Sequence, residues 1–153
     1  MSLRPLDSLV RVRTLKAEPA DQAAFDGLVA SGSKRLKDAG NVALSLESRF
    51  DLAHNAAHAL SLAALRWHGY RPDRQRFIVF QALQHTAGLS SAEWRVLDKA
   101  HNSRNSSEYE GYFDVDEQLL VEVLRIAEVV RSKVAALGPA SGGGKGSQGS
   151  SPG

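Results

Sequence analysis

Cysteine is absent from this 153-residue chain, which excludes disulfides and thiolate zinc sites. Also missing is any apolar run near the roughly 20 residues needed to span a bilayer. The N-terminal MSLRPLDSLVRVRTLK is basic but has no continuous apolar core, so it does not read as a secretory signal. A soluble, cytoplasmic protein with no membrane partner is therefore expected. No Gly-rich phosphate loop, nucleotidyltransferase signature, Ser-His-Asp arrangement or HExxH pair occurs, and no cofactor or metal is implied. Strand-like alternation and internal repeats are missing too. A net charge of +2 and a pI near 9.1 fall well short of a protein that coats nucleic acid. What is present is ordinary for one globular domain: 42% hydrophobic and 24% charged residues.

The chain is organised around Ser45 to Tyr70, SLESRFDLAHNAAHALSLAALRWHGY. Leu46, Phe50, Ala53, Ala57, Leu60, Ala64 and Trp67 recur at steps of three and four, the stripe of an α-helix. Leu52, Ala56, Ala59 and Ala63 form a second stripe beside it. Glu47, Asp51, His54, Asn55, His58 and Ser61 share the remaining polar strip. Ser45 suits the N-cap, Gly69 a left-handed end, and Pro72 forbids a return to helix. A helix this apolar belongs at the centre of a bundle, where its alanines let neighbours come close.

Residues 1–19 read as an N-terminal arm of solvated charges in which Leu6, Leu9 and Val10 give one short helical turn. Residues 20–138 read as a helical domain. Within it, Phe25, Leu28, Val29, Gly32, Leu36 and Ala39 make a first helix, with Gly32 on the apolar stripe at a close helix contact. Asp73 is a candidate cap for a helix with Phe77, Ile78, Phe80 and Leu83. Ser90 and Glu93 form a capping box for a helix that reaches toward Tyr109. Asp114 or Asp116 starts the last helix, which ends at Gly138-Pro139. Residues 139–153, rich in glycine and serine, form a tail with nothing to offset the entropy of ordering. The expected fold is all-α, an up-and-down bundle of four to five helices.

The candidate chemistry lies in HNSRNSSEYEGY, residues 101–112, where polar residues crowd a helix that should carry an apolar stripe. Arg104, Asn105 and Tyr109 fall within little more than a helical turn and can converge on one ligand oxygen. His101 stands three residues before the arginine. His54 and His58 have the i, i+4 spacing that can grip a metal, with Asp51 a possible third ligand. Hydrogen-bonded interhelical histidines are the simpler reading, and the pair can equally face Arg104. Arg66, Arg71, Arg74 and Arg76 cluster about one turn, either as a phosphate-tracking groove or as solvated charge.

With Arg-Asn on a bundle helix and the long alanine-rich helix before it, residues 20–137 resemble the HEPN domain family, in particular a small bacterial branch of it. The resemblance implies a HEPN-like bundle, a homodimer whose cleft is shared between subunits, and binding of RNA or nucleotide. It also implies a setting in toxin–antitoxin or phage-defence systems. Many members are metal-independent ribonucleases with Arg, four to six residues, then His; the arginine holds the phosphate and the histidine handles the 2′-hydroxyl proton. Here the histidine position holds Tyr109, and a phenol is ionised in only about one molecule in a thousand at pH 7. The expectation is therefore a binding protein using Arg104, Asn105, His54 and His58. The alternatives are a ribonuclease toxin with a displaced histidine such as His101, and a non-catalytic partner of a nucleotidyltransferase.

Overall fold

The computed structural model describes residues 4–11, 13–74, 78–110 and 116–140, leaving aside the side chains of Arg4 and of residues 104–110. In chain order come α1 (Arg4–Arg11), β1 (Leu15–Ala17), α2 (Gln22–Ala39), α3 (Leu46–Trp67), β2 (Tyr70–Pro72), α4 (Ile78–Thr86), α5 (Ser91–Glu110) and α6 (Glu117–Ala135). The fold is all-α apart from one short ribbon.

The central helix α3 is surrounded by α2, α4, α5 and α6. Ser45 caps it by accepting from the Ser48 amide at 3.1 Å, and Gly69 ends the segment at φ +91°. The alanine stripes do what their size allows. A Cβ added at Gly32 on α2 would stand 2.6 Å from Leu60 Cγ, so the two helices touch almost backbone to side chain there. At the other end of that interface Arg49 Nε donates to the Ala39 carbonyl at 2.9 Å, so α2 and α3 run antiparallel. Phe50, Ala53, Leu60, Ala63, Ala64 and Leu65 are all fully buried, and α6 supplies Leu120, Val123, Ile126 and Val130 to the same core.

Two departures from the sequence expectation concern the region around Pro72. A two-stranded antiparallel ribbon pairs Leu15 with Pro72, Lys16 with Arg71 and Ala17 with Tyr70. Because β2 is held there, the Asp73 amide donates to the Thr14 carbonyl at 3.0 Å and closes the ribbon. The described part of α4 begins at Ile78; Arg76 and Phe77, and with them the start of the helix that Asp73 was expected to cap, lie outside the described residues. Phe80 then meets His54 and His58, while Thr86 meets His68. Helix α4 thus runs in the same direction as α3, which breaks the strict up-and-down order expected.

Helix α1 packs onto the bundle as the spacing of Leu6, Leu9 and Val10 suggests. Leu6 and Leu15 are buried, and the Tyr70 hydroxyl bonds Asp7. Buried Arg66 ties this layer down by donating to the carbonyls of Glu18, Pro19 and Tyr70. At the far end the Trp67 indole donates to the Gly138 carbonyl at 2.9 Å, and the Ala140 amide bonds Gln22, so ordered chain continues to Ala140. Asp116, not Asp114, caps α6, accepting from the Gln118 amide at 3.0 Å; Asp114 and the tail from residue 141 lie outside the described residues.

Candidate functional site

Three helices bring the candidate histidines together. On α3, His54 and His58 are one turn apart, so both rings leave the helix on the side of α4 and α5. On α5, the capping box fixes the start of the helix. The Ser90 amide donates to Glu93 Oε1 at 2.9 Å, and the Glu93 amide donates to Ser90 Oγ at 3.2 Å. Ten residues along, His101 arrives against α3. His54 Nε2 and His101 Nδ1 are 3.3 Å apart, and the two rings lie nearly parallel, 18° between planes and 5.5 Å between centroids.

Phe80, fully buried on α4, is the hub of this cluster. Its ring stands edge-on to His54 at 6.1 Å, His58 at 6.0 Å and His101 at 6.3 Å. Edge-to-face packing of this kind fixes ring orientation while keeping the pocket apolar on one side. His54 is only 6% exposed, whereas His101 is half-buried and forms the outer member of the pair. A nitrogen–nitrogen hydrogen bond needs one ring to donate and the other to accept. With both rings neutral, one N–H thus lies between the two nitrogens. Such a pair can pass a proton between a buried ring and a more open one.

The polar strip of α3 is thus turned into the bundle along its His54–His58–Ser61 part, with Ser61 fully buried, while Glu47 at its start is exposed. Ser61 Oγ has no hydrogen-bond partner among the described residues. No group of three His, Cys, Asp or Glu residues among the described ones is arranged to hold a metal ion. Arg104, Asn105 and Tyr109 continue α5 in the turns after His101; their side chains lie outside the described residues. The structure accordingly joins His54, His58 and His101. The convergence of Arg104, Asn105 and Tyr109 rests on their helical spacing alone.

The arginine cluster at the turn divides in two. Arg66, which fits neither the groove nor the solvated-charge reading, is buried and fully engaged by backbone carbonyls and by Glu18 at 3.4 Å, so it is unavailable to a ligand. Arg71 and Arg74 remain on the outside. Two other histidines sit apart from the cluster. His68 is half-buried, and burial lowers its pKa more than a hydrogen bond to the Thr86 backbone raises it. His85 is lowered by burial as well. Trp67 and Trp94 are both half-buried; the first anchors Gly138, and the second lies under Arg95, whose Cζ is 5.6 Å from the ring centroid.

The central role of Phe80 was missed in the sequence. A phenylalanine inside an apolar helix looks like core, and nothing in its neighbours marks it as the ring that three histidines share. No helix among the described residues is long and apolar enough to cross a membrane. Compared with protein-family models, with curated proteins and with solved structures, the chain matches none.

Proposed function

We propose that this is a HEPN-like protein that binds RNA or nucleotide at the α5 turn carrying Arg104 and Asn105, with His101 and His54 forming one wall. The observation that carries the reading is the 3.3 Å contact between His54 and His101, the latter one helical turn before Arg104. It brings His101, the first residue of the polar segment of α5, against the core helix, where a purely structural helix would place an apolar side chain. A guanidinium offers a planar fork for phosphate oxygens, and a neighbouring amide can read a base or ribose. In this reading two copies share the cleft, and the protein works beside an antitoxin or a nucleotidyltransferase in a bacterial toxin–antitoxin or defence system.

The same contact favours a second reading, a metal-independent ribonuclease in which the histidine pair replaces the missing motif histidine. The half-buried His101 would accept the 2′-hydroxyl proton while Arg104 holds the scissile phosphate, and His54 would fix the tautomer of His101. Loss of such general base catalysis costs on the order of a hundred- to ten-thousand-fold in rate. Fluorescence anisotropy with labelled single-stranded RNA and with a mononucleotide tests the first reading. Arg104→Ala is expected to lose affinity for both. Unchanged affinity would leave only a likeness of fold. Gel assays without metal separate the second reading, which requires cleavage by wild type that His101→Ala abolishes and Tyr109→His does not replace.

A further inference from the structure

We infer that the ribbon of β1 and β2 is a contact surface for the phosphodiester backbone of an RNA strand. This rests on the reading above and makes the ligand a strand of several nucleotides rather than a mononucleotide. Pairing of Leu15–Ala17 with Tyr70–Pro72 gathers cations that are distant in sequence. Arg11, Arg13 and Lys16 come from one side, Arg71 and Arg74 from the other. Against them stand Asp7, which the Tyr70 hydroxyl engages, Glu18, which is shared between Arg66 and Arg71, and Asp73. Arg13, Lys16 and Arg74 are exposed and make no ion pair among the described residues; Arg11 donates only to Ser8 Oγ at 2.9 Å.

Two features of this ribbon work against the fold. In the antiparallel register Lys16 stands directly opposite Arg71, and like charges facing each other across strands are destabilising. The end of α1 is closed by bonds from the Arg13 amide to the Val10 carbonyl and from the Thr14 amide to the Leu9 carbonyl, the pattern of a Schellman motif. Its left-handed position, where glycine is the usual occupant, holds Arg13 at φ 63°. Glu18 answers Arg71, which leaves the Lys16 and Arg13 charges for an anion that binds across the ribbon.

The chemistry of the patch selects the polyanion. Most of its cations are arginines, whose forks suit phosphodiester oxygens. Among the described residues the exposed large apolar side chains, Val42, Leu44, Leu46 and Val121, lie elsewhere, whereas a membrane-binding surface places apolar anchors beside its cations. Six residues separate Arg74 from Phe80, the ring at the centre of the histidine cluster. The Arg74 end of the patch thus lies at most roughly 20 Å from that ring. At about 3.4 Å per stacked nucleotide, a strand of about six nucleotides covers that gap, inside the usual range of single-strand site sizes.

Arg13→Gly and Lys16→Glu, singly and together, test this on the full chain with a labelled 12-nucleotide single-stranded RNA, a trinucleotide, AMP and phosphatidylserine vesicles. Glycine relieves the left-handed strain and glutamate can pair with Arg71, so both variants are expected to unfold at or above the wild-type temperature. The double variant should bind the 12-mer at least tenfold more weakly at 0.1 M salt. Its slope of log affinity against log salt should be shallower by about 1.4, the loss of two phosphate contacts. AMP binding should stay unchanged, and wild type should favour the 12-mer over the trinucleotide. Binding of the 12-mer within twofold of wild type by the double variant overturns the inference. So does wild-type binding to vesicles or AMP but not to the 12-mer. Arg104→Ala in the same assay separates the two ideas. Loss in Arg104→Ala alone leaves the α5 site standing without the ribbon, and loss in the ribbon variants alone leaves the ribbon without the α5 site.

Discussion

The two sides of α3 are built on opposite rules. Toward α2 it presents Leu60 and the backbone at Ala56, and the helices close until Leu60 fills the space a side chain at Gly32 would take. Toward α4 and α5 it presents His54, His58 and Ser61, polar groups carried into the interior around Phe80. The first side is held by close packing, where each methylene counts. The second carries groups whose desolvation costs stability unless their bonds are met. Apolar contact on one side thus offsets the burden of a polar cluster on the other.

The largest effect is expected on the dry side. Leu60→Ala removes a fully buried side chain and should cost about 2–5 kcal/mol in urea unfolding. Gly32→Ala should cost less. It gains about 1 kcal/mol of helix propensity but forces Leu60 to move, an overpacking penalty of about 1–3 kcal/mol. Combining the two should recover part of the loss, because the new methyl enters the space Leu60 vacates. Strictly additive losses would show that the two positions do not share that contact.

On the polar side the expectation is the reverse. Replacing His54 and His101 together by leucine removes both partners of one hydrogen bond and leaves bulk of similar shape. Stability should then stay within about 1 kcal/mol of wild type, while RNA binding or cleavage falls. A loss as large as that of Leu60→Ala would make the histidine cluster a structural element rather than a site.

Much of this frame could be read from residue spacing. The cap at Ser45, the left-handed Gly69, the box of Ser90 and Glu93 and the close contact at Gly32 are local or single-interface features. The ribbon was hidden because three-residue strands are too short for a period-two pattern, and its halves lie more than fifty residues apart. That pairing also engages the Asp73 amide with the Thr14 carbonyl, a contact across the ribbon that no local pattern announces. Arg66 and Arg71 looked alike in sequence. The rotation of α3 buries one, and the pleat of β2 leaves the other outside. At the site, spacing placed His54 and His58 on one face and His101 near Arg104, but which helix faces which depends on packing across the bundle. The family likeness rests on Arg104, Asn105 and the helix order, and Tyr109 stands where that likeness would put a histidine.

The smallest expected effect lies at the end of α3, away from both sides compared above. The half-buried His68 ring touches Trp67 at 4.9 Å between centroids and bonds the Thr86 backbone. Burial outweighs that bond, so its folded-state pKa lies below the ordinary 6.5. The unfolded chain therefore takes up a proton at a pH where the folded chain does not, and stability must fall as pH drops from 6.5 toward the lower folded value. Above 6.5 the ring is neutral in both states and contributes no pH dependence. Burial shifts His85 in the same direction, which adds to the slope over the same window. His68→Gln keeps an N–H for the Thr86 carbonyl but cannot titrate. Urea midpoints at pH 7.5 and pH 5.5 should differ less in that variant than in wild type, with the gap closing mainly at the acid end. An identical difference in the two proteins would mean that the His68 ring is charged as readily in the fold as in water.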